Sequence, residues 1–462
     1  MASSRGVSLA SVGSAGAPPQ AHALPASSCC HLFAPQPGSA AAFRRLVTSD
    51  APVADFISAC GAVRGGESLP RAQAVRTFLS AAALHAASEP AAAAACSALY
   101  RVACDDAGRR AALGSAPFLL RCAAEHPRSA RVRVASWRAL AALALSTAGE
   151  SAAVEAGAHH AAATALADVS APPQVLTAVA SALRNLCGSP ATQAAAAEAG
   201  VLPVLVKAIA ALSERATPPT QEQPPPHEVE ARCAQREAAL VACLRALRNA
   251  CALPANKLSA ASNGGWLTLL RVVRSTPVPL SAPTTPTGGP GLVRQLSSSP
   301  PLLPSPPCAA PSAAVAAAGF DALWALAGAA QNKTLLAAGG VLDAGVAALK
   351  AHPGDPAVVD AVLGCVLSVA WSNVAFKAKA RDSGILELAE RAAPHAAAAD
   401  VGAPGGGGGG GGDAAAVRGE GGAGGEASDA AAAGARAARL EAASARLADT
   451  TDPFGDAFMP GL

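Results

Sequence analysis

The chain has 462 residues and a formal net charge of +3. Hydrophobic residues make up 51% of the chain, whereas aromatic residues make up only 3%. Alanine is the commonest of the hydrophobic residues and the best helix former, which favours many closely packed helices over a β fold. The 35 basic and 32 acidic residues are interspersed, so the sequence lacks the basic block that is typical of nucleic-acid-binding proteins.

The N-terminal arm, residues 1–50, has two interpretations. Up to residue 49 it contains no Asp or Glu, is rich in Ser and Ala, and includes Arg5, Arg44 and Arg45, as chloroplast and mitochondrial transit peptides do. A disordered Ala/Ser/Pro segment would have the same composition. Its only cluster of metal-binding residue types, Cys29-Cys30-His31, fits an unstructured segment better than a metal site.

The cysteines predict a reducing compartment. None of the twelve forms a CxxC pair, and most lie in apolar helical runs, where a free thiol behaves as a small hydrophobic residue. We therefore expect a cytoplasmic protein, with the nucleus as an alternative, and a chloroplast or mitochondrion if the arm is a transit peptide. The cysteines in these runs include Cys96, Cys187, Cys243, Cys251 and Cys365.

A repeat begins to show in two hexamers, ALRNLC at 182–187 and ALRNAC at 246–251. A small residue followed by leucine recurs in six apolar helical settings, and successive marker leucines are 41, 43, 64, 76 and 44 residues apart. The two long gaps contain Pro-rich insertions, at 216–230 and 275–312, and removing roughly 21 and 33 residues from the two gaps restores a period near 43 residues. The marker leucines are Leu99, Leu140, Leu183, Leu247, Leu323 and Leu367.

Glycine gives a second landmark for the same register. A glycine follows five of the six marker leucines after seventeen residues, at 157, 200, 264, 340 and 384, whereas Gly114 follows Leu99 after fifteen. Glycine in a left-handed conformation ends one helix and lets the next begin. The pattern therefore predicts a helix, a sharp glycine turn, a second helix and a loop in each unit, with the marker leucines buried.

These stretches resemble the armadillo repeat family, whose units of about 42 residues have a short first helix and two longer antiparallel helices. The resemblance is carried by 182–209, 246–273 and 322–349, and with weaker copies it extends over about 300 residues. It implies an all-α, right-handed α-solenoid of armadillo or HEAT type. The first helix of each unit is poorly defined in the sequence, and residues 54–95 lack the markers, as a terminal cap would.

The resemblance also implies a binding groove along the third helices, where the family uses a recurrent asparagine to hydrogen-bond an extended peptide. Two residues after the marker leucine, this chain has asparagine in only two of six copies, and arginine or an aromatic residue often precedes that position. Such residues dominate binding hot spots, and the arginines disfavour a lysine-rich ligand. Trp324 and Trp371 fit the core equally well. The candidate groove residues are Tyr100, Arg101, Arg184, Asn185, Arg248, Asn249, Trp324 and Asn373.

Catalytic, cofactor and membrane signals are weak. The sequence has no GxGxxG after a strand, no GxxxxGK[ST], no HExxH and no GxSxG, so we expect neither an enzyme nor a cofactor. The glycine run at 405–412 has no neighbouring strand or lysine and fits a linker. The most apolar window, 313–330, carries Asp321 and consists mainly of alanine, which disfavours a membrane span.

The tail, residues 396–462, combines a Gly/Ala linker, a candidate helix at 429–450 and the ending DPFGDAFMPGL. This ending resembles the DPF and FxDxF peptides that bind the appendage domains of clathrin adaptors, through Asp452, Phe454, Asp456 and Phe458. Several Ser/Thr-Pro steps in the 275–312 insertion are candidate phosphorylation sites; a neutral spacer is the alternative.

We therefore predict a disordered or targeting arm at 1–50, a solenoid of about six repeats at 51–395, and a motif-bearing tail at 396–462. The predicted function is a non-enzymatic scaffold or adapter that binds a partner protein or extended peptide in its concave groove. The alternative is a vesicle-trafficking accessory protein acting through the tail motif.

Overall fold

A computed structural model describes residues 71–214, 226–274, 311–371 and 373–398, together with the single residues Val53, Ile57, Cys60, Glu441 and Ala445. In these ranges, apart from one short 3-10 turn at Leu113–Ser115, every regular element is an α-helix. The predicted all-α class is confirmed.

Between residues 71 and 398, the described part of the chain contains nineteen α-helices, which follow one another in a repeating order. They are α1 (Arg71–Leu84), α2 (Glu89–Val102), α3 (Asp106–Ala111), α4 (Ala116–Glu125), α5 (Ala130–Leu143), α6 (Thr147–Glu155), α7 (Ala158–Ala167), α8 (Pro173–Leu186), α9 (Pro190–Glu198), α10 (Val201–Ser213), α11 (Pro226–Ala250), α12 (Pro254–Ser262), α13 (Gly265–Arg274), α14 (Ala313–Ala327), α15 (Ala330–Ala338), α16 (Val341–Ala351), α17 (Pro356–Ala370), α18 (Val374–Asp382) and α19 (Ile385–Ala398).

Each unit contains a short helix, an outer helix and an inner helix, in that order. The complete units are α3–α5, α6–α8, α9–α11, α12–α14 and α15–α17, with α1–α2 before them and α18–α19 after them. The short helices, poorly defined in the sequence, are real elements of six or nine residues. Several begin at a side-chain cap: the side chains of Asp105, Ser146, Ser189 and Asn373 each accept a hydrogen bond from a backbone N–H three residues later, which satisfies an otherwise unpaired N–H.

The turn between short and outer helix depends on glycine. All five glycines at the predicted seventeen-residue spacing have positive φ, from 69° to 88°, whereas Gly114 is not among the positive-φ glycines. Residues with a Cβ rarely adopt this left-handed conformation. The predicted role of these glycines is confirmed, and Gly114, the exception in the sequence, lies instead in the 3-10 turn.

Replacing Gly200 with alanine is expected to cost about 1–2 kcal/mol, the penalty for an L residue in the left-handed region. A Cβ at Gly200 would meet no atom within 4 Å, and the same holds at Gly114. Gly114→Ala is therefore a matched control, expected to change stability by no more than about 0.5 kcal/mol. Chemical denaturation followed by circular dichroism measures both, and equal effects would contradict the conformational explanation.

The marker leucines occupy matching interior sites. Leu99, Leu140, Leu183, Leu247 and Leu323 are at most 2% exposed. The sixth copy departs by one residue, because Val366 is fully buried whereas Leu367 is half-buried. The prediction that Leu367 is the sixth marker is therefore wrong. Val366 fills the interior site, eighteen residues before Gly384 instead of seventeen.

The units stack side by side. Each inner helix from α5 to α14 packs against the inner helices before and after it, and the outer helices from α7 to α16 form a similar second row. The buried residues form one continuous cluster from Cys60 to Ala389, as expected when each unit covers the apolar face of its neighbour. The described part of the chain is an α-solenoid.

Both Pro-rich insertions connect an outer helix to an inner helix, in the consecutive units α9–α11 and α12–α14. The predicted boundary 216–230 was wrong at its end. Residues 226–230 form the first turn of α11, where Pro226 suits a helix start and Arg232 lies 3.5 Å from Glu228 one turn away. The boundary 275–312 was also too long, because Ser312 caps α14 and the carbonyl of Pro311 lies 2.7 Å from Nε2 of His352.

No single helix in the described ranges is long and apolar enough to cross a membrane. Two bent pairs, Pro190–Glu198 with Val201–Ser213 and Ala330–Ala338 with Val341–Ala351, reach that length and composition only when taken together.

Candidate protein-binding groove

The inner helices form a continuous layer along one side of the solenoid. Each packs against the inner helices before and after it, and these contacts are more extensive than those between successive outer helices. The surface-facing positions of α2, α5, α8, α11, α14 and α17 therefore line a common groove, which we call the inner groove.

Four predicted groove residues lie directly after a marker leucine on this surface. Tyr100 is 41% exposed, the side chain of Arg248 is 49% exposed, and Arg184 and Trp324 are half-buried. The same position is Ala141 in the second copy and, after the register correction, Leu367 in the sixth. The structure thus places polar or aromatic side chains from four units on one surface. Each of these side chains directly follows a buried leucine in the sequence.

The predicted asparagines connect neighbouring inner helices. The Nδ2 group of Asn185 on α8 donates to the carbonyl of Ala141 on α5, and that of Asn249 on α11 donates to the carbonyl of Arg184 on α8, each at 2.9 Å. Arg101 occupies the equivalent position on α2 and donates to the carbonyl of Cys60. This column therefore links the units together, and one amide hydrogen of each asparagine is already used for that purpose.

The remaining candidates lie toward the C-terminal end of the array. The ring of Trp324 packs on α17 at Gly364, where an added Cβ would come within 2.7 Å of the indole. Trp371 forms the C-terminal boundary of α17. Asn373 does not lie on an inner helix: its Oδ1 accepts the backbone N–H of Phe376 at 2.9 Å and caps α18.

Charge is divided along the inner groove. The charged residues of α5 and α8 are all arginine, whereas those of α14 and α17 are the aspartates Asp321 and Asp360. Arg248 meets Asp321 at 3.6 Å across the boundary. Interspersed charges in the sequence gave no sign of this division, because the fold gathers residues from different units on one face.

Two pKa shifts accompany this arrangement. Burial raises the pKa of Asp321, and nearby Asp360 raises it further, against the opposing effects of Arg248 and Arg245. Burial lowers the pKa of Arg184, and the positive charge of Arg245 acts in the same direction. The basic half of the inner groove is therefore partly desolvated and self-repelling.

A hollow of about 340 Å³ opens in the basic half, between α5, α8 and α11. Its polar lining consists of Arg138, Gln174, Thr177, Ser181 and Gln235. Three alanines, Ala141, Ala178 and Ala238, complete the wall. None of these residues was among the sequence candidates, because they share no motif and come from three units.

A ladder of buried side-chain amides, which the sequence did not predict, connects the short helices to the inner helices. On three successive short helices, Gln193, Asn256 and Asn332 donate to the last turn or end of the preceding inner helix, at 2.7–3.1 Å. Asn256 and Asn332 also donate to the preceding short helix, at 2.9 and 3.1 Å. An amide residue nine or ten places after the marker leucine is the signal that could have identified them.

Glu150 holds the equivalent ladder position in α6 but acts as an acceptor. Its buried carboxylate receives the backbone N–H groups of Gly188 and Ser189, both at 2.9 Å, and the hydroxyl of Thr192. A carboxylate at the start of α9 also complements the positive end of that helix. Ladder and carboxylate fix how one unit sits on the next.

The five thiols predicted to lie in apolar helical runs are core residues. Cys96, Cys187, Cys243, Cys251 and Cys365 are buried as predicted, and burial raises the pKa of Cys187, Cys243 and Cys251 to about 12. Thiols of this kind are poor nucleophiles at neutral pH. In the described ranges, no three His, Cys, Asp or Glu side chains are grouped so that they could hold a metal ion.

No protein-family model matches the chain, and no curated protein matches it. Solved structures similar to it include an engineered protein, with a TM-score of 0.43 and 15% identity over 61% of this chain and 97% of that one. A designed armadillo repeat protein in complex with the peptide (KR)4 has a TM-score of 0.41 and 16% identity over 62% and 92%. A structure concerned with the interaction between cadherin and beta-catenin has a TM-score of 0.37 and 13% identity over 77% and 68%.

The chain has an armadillo-like repeat fold. The fold is defined by the chain's own helices. Each unit has a short helix, a left-handed glycine, an outer helix and a long inner helix, and the units repeat in register.

Several sequence predictions fall outside the described residues. They are the transit-peptide interpretation of residues 1–50, the Cys29-Cys30-His31 cluster, the phosphorylation sites before residue 311, the glycine run, most of the 429–450 helix, and the tail motif of Asp452, Phe454, Asp456 and Phe458. These stay predictions.

Proposed function

We propose that the protein is a non-enzymatic scaffold that binds an extended segment of a partner protein along its inner groove. One observation carries the proposal: equivalent positions of four of the six inner helices present Tyr100, Arg184, Arg248 and Trp324 at least partly to solvent, beside buried core residues. Aromatic and arginine side chains are the residues that dominate protein–protein hot spots. An extended chain crossing the inner helices would meet one of these side chains in most units.

Substituting Arg184 and Arg248 together by glutamine is expected to weaken partner binding by at least about 30-fold, since a hot-spot arginine contributes more than about 1 kcal/mol. Full-length wild type and variant are each used to recover partners from the source tissue, quantified by mass spectrometry, and affinity is then measured with the purified partner. The fold should tolerate the change, because a half-exposed ion pair such as Arg248–Asp321 is worth no more than about 1 kcal/mol.

The matched control substitutes Arg271 and Arg391, exposed arginines on the outer helices α13 and α19, by glutamine. This variant should keep the wild-type partners and affinity. Loss of the same partners from the outer-helix variant, or their full retention by the Arg184/Arg248 variant, would contradict binding in the inner groove.

A further inference from the structure

The hollow between α5, α8 and α11 has the composition of an anion-binding subsite. Arg138 supplies a positive charge that is exposed to solvent. The amides of Gln174 and Gln235 and the hydroxyl of Ser181 can donate hydrogen bonds, whereas the Thr177 hydroxyl already donates to the carbonyl of Pro173 at 2.9 Å. The alanines leave room beside them. The lining contains no carboxylate.

The surrounding charges reinforce this preference. Arg138, Arg184 and Arg245 lie on three successive inner helices, and none has a carboxylate within 4.0 Å among the described residues. Neither α5 nor α8 contains an acidic residue. The nearest acidic residue of the next inner helix, Asp321, is already in contact with Arg248. The excess positive charge therefore lies on α5 and α8, because α11 also carries three glutamates in its first half.

The spacing of the arginines distinguishes between kinds of anion. Neighbouring helices lie about 10 Å apart, so Arg138, Arg184 and Arg245 are presented one per inner helix rather than as a cluster, and Arg248 on α11 is already paired with Asp321. Phosphate groups carry nearly two charges and are typically held by several arginines together. Single charges at this separation fit carboxylates better.

We propose that the inner groove recognises an acidic extended segment of the partner, with one Asp or Glu side chain in the hollow at Arg138 and the following ones at Arg184 and Arg245. This deepens, and rests on, the proposed function. Three residues of a polyproline-II-like chain advance about 9 Å, close to one helix spacing. The preferred partner sequence therefore has an acidic residue at every third position.

The test uses the full-length chain and fluorescent peptides of about twelve residues, enough to cross three inner helices. One peptide carries Asp at every third position in a Ser/Ala/Pro background, and a second carries Asn at the same positions. Wild type should bind the Asp peptide at least about tenfold more tightly than the Asn peptide. Compared with wild type, the Asp peptide should bind about tenfold more weakly to each of Arg138→Gln, Arg184→Gln and Arg245→Gln. Arg271→Gln, on outer helix α13, should bind it like wild type.

A charge reversal separates a direct contact from a general effect of net charge. Arg138→Glu should lose the Asp peptide but recover affinity for a peptide in which only the residue facing that helix is Lys. Equal binding of the Asp and Asn peptides, or a wild-type response from all three inner-helix variants, would overturn the proposal. So would tighter binding of a phosphoserine peptide or of single-stranded RNA of matched length.

A failure of the acidic-segment proposal can be distinguished from a failure of the proposed function. If partner capture depends on Arg184 and Arg248 but Asp peptides do not bind, the scaffold function stands and the acidic-segment assignment is wrong. If capture does not depend on the inner groove at all, the proposed function itself is wrong.

Discussion

Leu183→Ala is expected to lower the free energy of unfolding by about 2–5 kcal/mol, the cost of a cavity left by a buried leucine. Leu183 is fully buried on α8, which packs against both α5 and α11, so the cavity would open at the junction of three units. Urea denaturation followed by far-UV circular dichroism measures the loss.

Leu258→Ala is the matched control, because Leu258 is 39% exposed on the short helix α12. It should change the free energy of unfolding by no more than about 0.5 kcal/mol. If the two substitutions had similar effects, the leucine register that defines the repeat would be wrong.

Asn332→Ala is expected to cost about 1–3 kcal/mol. The Asn332 side chain is 1% exposed, and its Nδ2 group donates to the carbonyls of Leu326 and Lys257, at 3.0 and 3.1 Å. Alanine would remove both hydrogen bonds from a buried site, and each intramolecular hydrogen bond contributes about 0.5–1.5 kcal/mol to stability.

The control for this change is Asn263→Ala. Asn263 also donates from Nδ2 to a backbone carbonyl, that of Ser259 at 2.7 Å, but the bond is exposed and local. Its loss should cost no more than about 0.5 kcal/mol, because water replaces the partner. A similarly small effect at Asn332 would mean that the amide ladder does not hold the units together.

The repeat could be predicted from the sequence because it depends on residue types with few substitutes. Buried leucine at a fixed helical position and glycine with positive φ both follow from local geometry, and each gives a period that can be counted. The sixth marker was misplaced because Val366 and Leu367 are both apolar and adjacent, so only burial distinguishes them.

The groove was harder to predict, because its properties arise between units. Arg138, Arg184 and Arg245 are separated by intervals of 46 and 61 residues, and only stacking of the inner helices gathers them on one surface. The position of Asn185 and Asn249 in the repeat predicts that they are groove residues. Their hydrogen bonds to the neighbouring inner helix could not be predicted, because these bonds depend on the distance between units and not on spacing within one unit.

The most direct test of the account is the distance between equivalent positions of successive inner helices. The distances between a spin label at Tyr100 and one at Arg184 or Arg248 can be measured by pulsed electron paramagnetic resonance. Before labelling, the exposed Cys104 and Cys233 are replaced, together with Cys29, Cys30 and Cys308, which lie outside the described residues. Stacked units separated by about 10 Å predict distances near 20 and 30 Å respectively. Equal distances for the two pairs, or a second distance shorter than the first, would contradict the solenoid and the groove built on it.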